Sequence, residues 1–365
     1  MLTKFAVSNY RGFKDRIELD LSDPNGYSFN SFAIKDGLVK DLMIYGPNGS
    51  GKSNLGFALF DIVNHLTQKN KQAFPYANFT YAGNDQPVAF EYCFMLGGKP
   101  LRYEYTKSKM GILLSEKLES EGIVFFDRQQ RHIHINEGLF PLQKSVKDSL
   151  LRQANNVSLI SYLLNVFPMS KDHPLVLLNG FVDKMLWFRC LQDRGYIGFE
   201  LGVTDLEAYI IERNLLDDFT DFVYSVSGQK FTFAKPQRGD RFLFCLIDGK
   251  KIAFSAIEST GTASLTLLYY WLSKLYDVSF VFIDEFDAFY HYELAYEVCK
   301  RLFDKSCQVI LTTHNTSLMT NDLLRPDCYF LIDGKHVKPL NKCTSKELRL
   351  GHNLEKLYRG NGFTI

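Results

Sequence analysis

Two kinds of apolar pattern run along the chain. Residues 41–45 (DLMIY), 280–283 (FVFI) and 308–313 (QVILTT) are short, nearly unbroken apolar runs. That pattern marks strands covered on both faces, as in a parallel sheet. Residues 86–136 instead alternate apolar and polar positions (VAFEYCFML, PLRYEYTKSK, ILLSEKLES, IVFFDRQ, RHIHIN), broken by glycine and polar turns. Period two with such breaks predicts an antiparallel β-meander. Residues 2–9 and 15–21 alternate as well and predict an antiparallel pair around the turn Asn9–Phe13, with a third short strand at 32–35. Leu55, Leu59, Ile62, Val63 and Leu66 form one helical face directly after residue 52. Residues 142–226 read as mostly helical, with turns near Pro168, Pro174 and Gly195–Gly198. Strands return over 231–254 around an Asp248-Gly249 hairpin. Helices are predicted over 263–275 and 292–303, a strand pair at CYFLID and HVKPL, and a short helix with a frayed tail over the last residues.

Composition narrows the class. A 365-residue chain that is 46% hydrophobic has the material for one large core or two ordinary ones. A net charge of +1 excludes a strong global pull toward nucleic acid or anionic membrane. Seven cysteines without a C-x-x-C pair read as buried thiols of a reducing compartment. The N-terminal residues lack an apolar signal core and no apolar run approaches a membrane span, so the expected location is cytoplasmic, without a membrane partner.

Chemistry concentrates where the apolar runs end. After residues 41–45 come Gly46, Pro47, Asn48, Gly49, Ser50, Gly51, Lys52, Ser53 and Asn54, matching G-x-x-x-x-G-K-[ST] between a strand and a helix. Triphosphate oxygens need several inward backbone N–H groups, which a glycine turn entering a helix supplies. Lys52 is then the cation for the outer phosphates and Ser53 a hydroxyl ligand for Mg²⁺. The run FVFI ends in Asp284, placed for Mg²⁺, and Glu285, placed as general base toward water. His314 ends the run VILTT and is placed to contact a γ-phosphate oxygen or the attacking water. Ser259-Thr260-Gly261-Thr262 opens a helix and reads either as an ordinary cap or as a second phosphate-binding terminus, which a symmetric dimer brings to the other copy's nucleotide. His132 and His134 share a strand face without a third ligand nearby and read as an exposed face rather than a metal site.

GPNGSGKSN, ESTGT, FIDEFD and TTHN, in that order, resemble the ABC-type ATPase heads of the SMC, RecF and OLD (overcoming lysogenisation defect) group, and the opening FAVSNYRGFKD is similar to the start of those heads. The resemblance implies an α/β fold, an ABC-type P-loop NTPase head with an antiparallel β-meander subdomain and a helical insertion. It divides the chain into an ATPase core (1–66 and 255–340), a meander lobe (86–136), a helical insertion (142–226), strands returning to the core (231–254) and a tail (341–365). It places Arg11 near the nucleotide, makes Ser259 and Gly261 the signature acting on the partner copy, and makes His314 the switch histidine. EFDAFYH resembles the family's dimer-contact loop, with Tyr290-His291-Tyr292 in place of Leu-His-Pro. The implied cofactors are ATP and Mg²⁺. Between the core segments no heptad is sustained, unlike SMC arms, and residues 315–365 are too few for the Toprim domain of OLD nucleases. The implied type is therefore a stand-alone OLD-like ATPase of antiphage defence. Such a protein homodimerises around ATP and controls a nuclease or toxin effector. A RecF-like DNA-binding ATPase, with Arg128, Arg131, Lys144, Lys147 and Arg152 as a basic stripe, and an ATP-occupied scaffold with negligible turnover are the alternatives. Gln72 and Gln86 are in the right half of the chain for the Q-loop glutamine, but neither has its context.

Overall fold

The computed structural model describes residues 1–67, 69, 79–129, 132–142, 146, 150, 157–189, 196–198 and 205–365. Two seven-stranded sheets carry the fold. The first is antiparallel, in the spatial order His132–Ile135, Ile123–Gln129, Leu113–Ser120, Lys99–Lys107, Val88–Leu96, Leu2–Ser8, Ile17–Asp20. The second runs Tyr196–Gly198, Met185–Arg189, Phe280–Asp284, Gln308–Thr313, Asp41–Tyr45, Tyr329–Ile332, Val337–Pro339, and its five central strands are parallel.

Burial follows the two sequence patterns. Every residue of Asp41–Tyr45, Phe280–Asp284 and Gln308–Thr313 is buried, as the unbroken apolar runs require. Val88–Leu96 alternates buried and partly exposed positions. The helices Lys52–Leu59 and Asp61–Leu66 lie between the sheets. The Tyr92 hydroxyl donates to the carbonyls of Ala58 and Leu59, and the Tyr105 hydroxyl donates to Asp61 at 2.8 Å. The side chain of Gln308 ties the sheets together by accepting from Leu2 N–H and donating to the Leu2 and Val39 carbonyls.

Several sequence expectations need correction. The meander is not a separate sheet, because Leu2–Ser8 pairs with both Ile17–Asp20 and Val88–Leu96 and fuses the N-terminus to it. The stretch 142–226 contains Met185–Arg189, a strand of the parallel sheet; its four apolar residues, Met185–Phe188, closely follow the helix Pro174–Asp183 and are too few to show a period of their own. The single helical face after Lys52 is split at Phe60 (φ −86°, ψ 0°). Residues 31–33 make a 3-10 turn, leaving only Ile34–Lys35 to pair with Leu38–Val39. The C-terminus is docked, not frayed: Leu354–Arg359 is helical, Thr364 N–H donates to the Cys343 carbonyl, and Phe363 and Ile365 pack on the core.

Arg128 leaves the proposed basic stripe. It is buried, ion-paired with Glu116 at 3.2 Å and donates to the Val157 carbonyl. Arg131, Lys144, Lys147 and Arg152, like Gln72, lie outside the described residues. His132 and His134 are exposed on the edge strand. Among the described residues no helix is long and apolar enough to cross a membrane.

Candidate nucleotide-binding site

Strand order decides what meets at the carboxyl edge of the parallel sheet. Gln308–Thr313 lies between Asp41–Tyr45 and Phe280–Asp284, with Thr313 opposite Tyr45 and Leu311 opposite Ile283. The three strands therefore deliver the glycine loop, His314 and the acidic pair to one edge, where open α/β sheets bind ligands.

Within the loop, steric need accounts for the glycines. A Cβ at Gly46 would lie 2.5 Å from both the Ile332 carbonyl and Ser50 Oγ, and one at Gly51 would lie 2.6 Å from the Phe13 ring. Gly51 also holds φ +102°, where a side chain is strained. Phe13 thus presses the Asn9–Phe13 turn onto the loop. Arg11 of the same turn (φ +46°) lays its guanidinium over the Phe57 ring, 4.9 Å from the centroid, one helical turn beyond Ser53.

Lys52 is buried and folds back over the loop, donating to the Gly46 carbonyl at 2.7 Å and the Pro47 carbonyl at 3.2 Å. Burial lowers its pKa, against the pull of Asp284 and Glu285. His314 Nδ1 is 3.5 Å from Lys52 Nζ, and desolvation together with that ammonium pushes the imidazole down toward its neutral form. Ser53 Oγ donates to Asp284 Oδ2 at 2.7 Å. The hydroxyl and carboxylate assigned to the metal by sequence therefore touch across 231 positions of chain.

Four further side chains at this edge had not been singled out from the sequence. Thr312 Oγ1 donates to Asp284 Oδ1 and accepts from Glu285 N–H, both at 2.8 Å. Thr313 Oγ1 donates to Asp287 and accepts from Asn315 N–H. The two threonines preceding His314 thus bind the acidic loop to the histidine strand. Burial raises the Asp287 pKa, partly offset by those hydrogen bonds. Arg189 Nη2 lies 3.2 Å from Asp284 Oδ2. The doublet TT was the available signal for the threonines; Arg189 had none, since its strand was read as helix.

Ser259 caps the helix Thr260–Leu272, accepting from Thr262 N–H at 3.1 Å. Ser259 and Thr260 are exposed, so their side of the turn faces solvent. A Cβ on Gly261 would approach the Phe289 carbonyl to 3.2 Å, and Tyr290 OH is 2.9 Å from Ser264 Oγ. The Tyr290-His291-Tyr292 variation therefore has a local role: Tyr290 anchors the acidic loop to the serine-glycine helix, and His291 caps the next helix, Tyr292–Phe303.

The donor set suits a hard divalent cation and a triphosphate. It offers a hydroxyl and carboxylate in contact, a buried lysine, and a Ser50 hydroxyl buried in the loop without a partner among the described residues. Among the described residues no cluster of three His, Cys, Asp or Glu side chains forms a protein-only metal cage.

Residues 205–320 match the family model described as "AAA domain, putative AbiEii toxin, Type IV TA system". The matched stretch contains Ser259, Asp284, Glu285 and His314 but not the glycine loop. No curated protein matches the chain. Similar solved structures include an SMC head domain from Thermotoga maritima (14% identity, TM-score 0.43, 93% of this chain and 98% of that one). An Smc head from Pyrococcus furiosus with an extended coiled coil, bound to the C-terminal domain of ScpA, is 13% identical (TM-score 0.46, 93% and 97%). The recombination mediator RecF with ATP is also 13% identical (TM-score 0.40, 93% and 99%). The fold of this chain is α/β, a sheet with a parallel centre beside an antiparallel sheet shared between the N-terminus and the meander.

Proposed function

We propose that this protein is an Mg²⁺-dependent ATPase that binds ATP between two copies of itself and uses binding and hydrolysis to control an associated effector, a nuclease or toxin of antiphage defence. The observation that supports the ATPase part best is the meeting of Lys52, Ser53, Asp284, Glu285 and His314 at one sheet edge, sealed by the 2.7 Å contact of Ser53 with Asp284. In this reading the loop amides and Lys52 bind the phosphates, with Lys52 exchanging its carbonyl partners for phosphate oxygens. Mg²⁺, held by Ser53 and Asp284, would neutralise charge on the outer phosphates. Glu285 takes a proton from the attacking water, and neutral His314 hydrogen-bonds the γ-phosphate. Ser259 and Gly261 serve the nucleotide of the other copy, and Arg11 steadies the loop helix near the nucleotide. ATP that binds only the closed pair shifts the equilibrium toward it, so hydrolysis releases the pair and its effector. The effector role leans on the sequence resemblance and on the toxin named in the matched family description.

Equilibrium binding of a fluorescent ATP analogue tests the site. Lys52→Ala should abolish binding while leaving the fold intact by circular dichroism. Unchanged affinity would remove the phosphate-loop assignment.

A further inference from the structure

One cation at the acidic edge has no place in the motif-based account. Arg189 ends the strand Met185–Arg189, whose parallel register sets it opposite Asp284. Its Nη2 lies 3.2 Å from Asp284 Oδ2, 3.7 Å from Glu285 Oε2 and 3.4 Å from Ser53 Oγ. Those are the ion's two ligands and the base in the function proposed above. Asp284 itself is fully buried, whereas the Arg189 side chain is 29% accessible.

The contact is not that of a locked structural pair. All three contacts with the site run through the same terminal nitrogen, and the Arg189 Nε is buried without a partner among the described residues. A structural arginine–carboxylate pair is typically a two-pronged fork. Asp284 Oδ2 already accepts from Ser53, and its other oxygen accepts from Thr312, so Arg189 takes the open side of Oδ2. A divalent ion held by Ser53 and Asp284 would need that same space. A guanidinium and a divalent ion a few Å apart in a partly buried site repel by far more than thermal energy.

We propose that Arg189 is a resident counter-cation of this site, competing with the divalent ion for Ser53 and Asp284 and yielding when metal and nucleotide enter together. The inference rests on the nucleotide-site reading. In its arrangement Arg189 balances the buried carboxylate and sets the metal concentration at which the site loads. It is a positioning residue, acting through Asp284 and Ser53.

The test is a Mn²⁺ titration followed by electron paramagnetic resonance, in the presence of the imido analogue of ATP, on the full chain. Arg189→Gln and Arg189→Met, the second keeping the aliphatic reach without charge, should each tighten Mn²⁺ on the order of tenfold, the effect of removing one charge-assisted contact that the metal must break. Thermal melts confirm that at least one variant is folded. Mn²⁺ affinity that is unchanged or weakened in the folded variants overturns the proposal, since Arg189 would then be indifferent to the ion or organise its ligands. Failure of the parent protein to bind the analogue would overturn the nucleotide-site reading as well. Binding by the parent with no response to Arg189 overturns this inference alone.

Discussion

Glu285 is held in a conformation that its side chain disfavours. Its φ is +50°, in the left-handed region, and its N–H is pinned to Thr312 Oγ1 at 2.8 Å. For a residue with a Cβ this costs on the order of 1–2 kcal/mol. The turn is what swings Glu285 out of the strand line that buries Asp284, so two adjacent acids differ in exposure, 0% against 33%. Glu285→Gly is therefore expected to raise folding stability by about 1 kcal/mol in urea denaturation while removing ATP turnover. A loss of stability would show that the carboxylate, not the backbone, holds the loop. Glu285→Gln should keep ATP binding and suppress turnover; a fully active Gln variant would strip Glu285 of its role as base. That Gly46–Ser53, Asp284-Glu285 and His314 would meet was legible in the sequence, because each follows a short apolar run and those runs became neighbouring parallel strands. The Thr312 and Thr313 hydrogen bonds were not legible, since a hydroxyl partner depends on which strand lies alongside.

Among the elements, the phosphate-loop strand Asp41–Tyr45 shows how burial overrides composition. Asp41 is fully buried at its start, 2.9 Å from Lys40, whose ammonium also donates to the carbonyls of Phe303 and Lys305. Burial raises the Asp41 carboxyl from 3.8 to about 8, with Lys40 opposing. A carboxyl raised by folding contributes stability below its unfolded pKa, and that contribution is lost as pH climbs through the folded value. Over roughly pH 4 to 8 the unfolded chain gives up the Asp41 proton and the folded chain retains it. Stability should therefore decline across that window relative to Asp41→Asn, measured by urea denaturation at several pH values. Parallel pH profiles for the two proteins would contradict the assignment. Element type was readable wherever a period existed, as in the meander and the helix Tyr292–Phe303. It failed at Met185–Arg189, a strand five residues long and apolar up to its last position, and Arg189 was missed with it.

At the scale of the molecule, the two sheets enclose the helices that follow the glycine loop, so the helix carrying Lys52 and Ser53 shares a core with the antiparallel sheet. The hydroxyl of Tyr92 on the last helical carbonyls and that of Tyr105 on Asp61 are the direct links. The division into core and separate lobe followed from the resemblance and the period-two pattern of residues 86–136, neither of which reveals that Leu2–Ser8 pairs on both edges. The proposed dimer depends on a feature outside the phosphate loop: the Ser259–Gly261 turn, which faces solvent and whose helix is braced on the acidic loop through Tyr290 and Ser264.

In the proposed mechanism two copies close around ATP, each lending its serine-glycine turn to the other. Sedimentation velocity of the Glu285→Gln protein with MgATP, with and without the added Ser259→Arg change, tests it most directly. The expected result is an ATP-dependent dimer that Ser259→Arg returns to monomer while nucleotide remains bound. A Glu285→Gln protein that binds ATP and stays monomeric, or a dimer indifferent to the arginine, would contradict it.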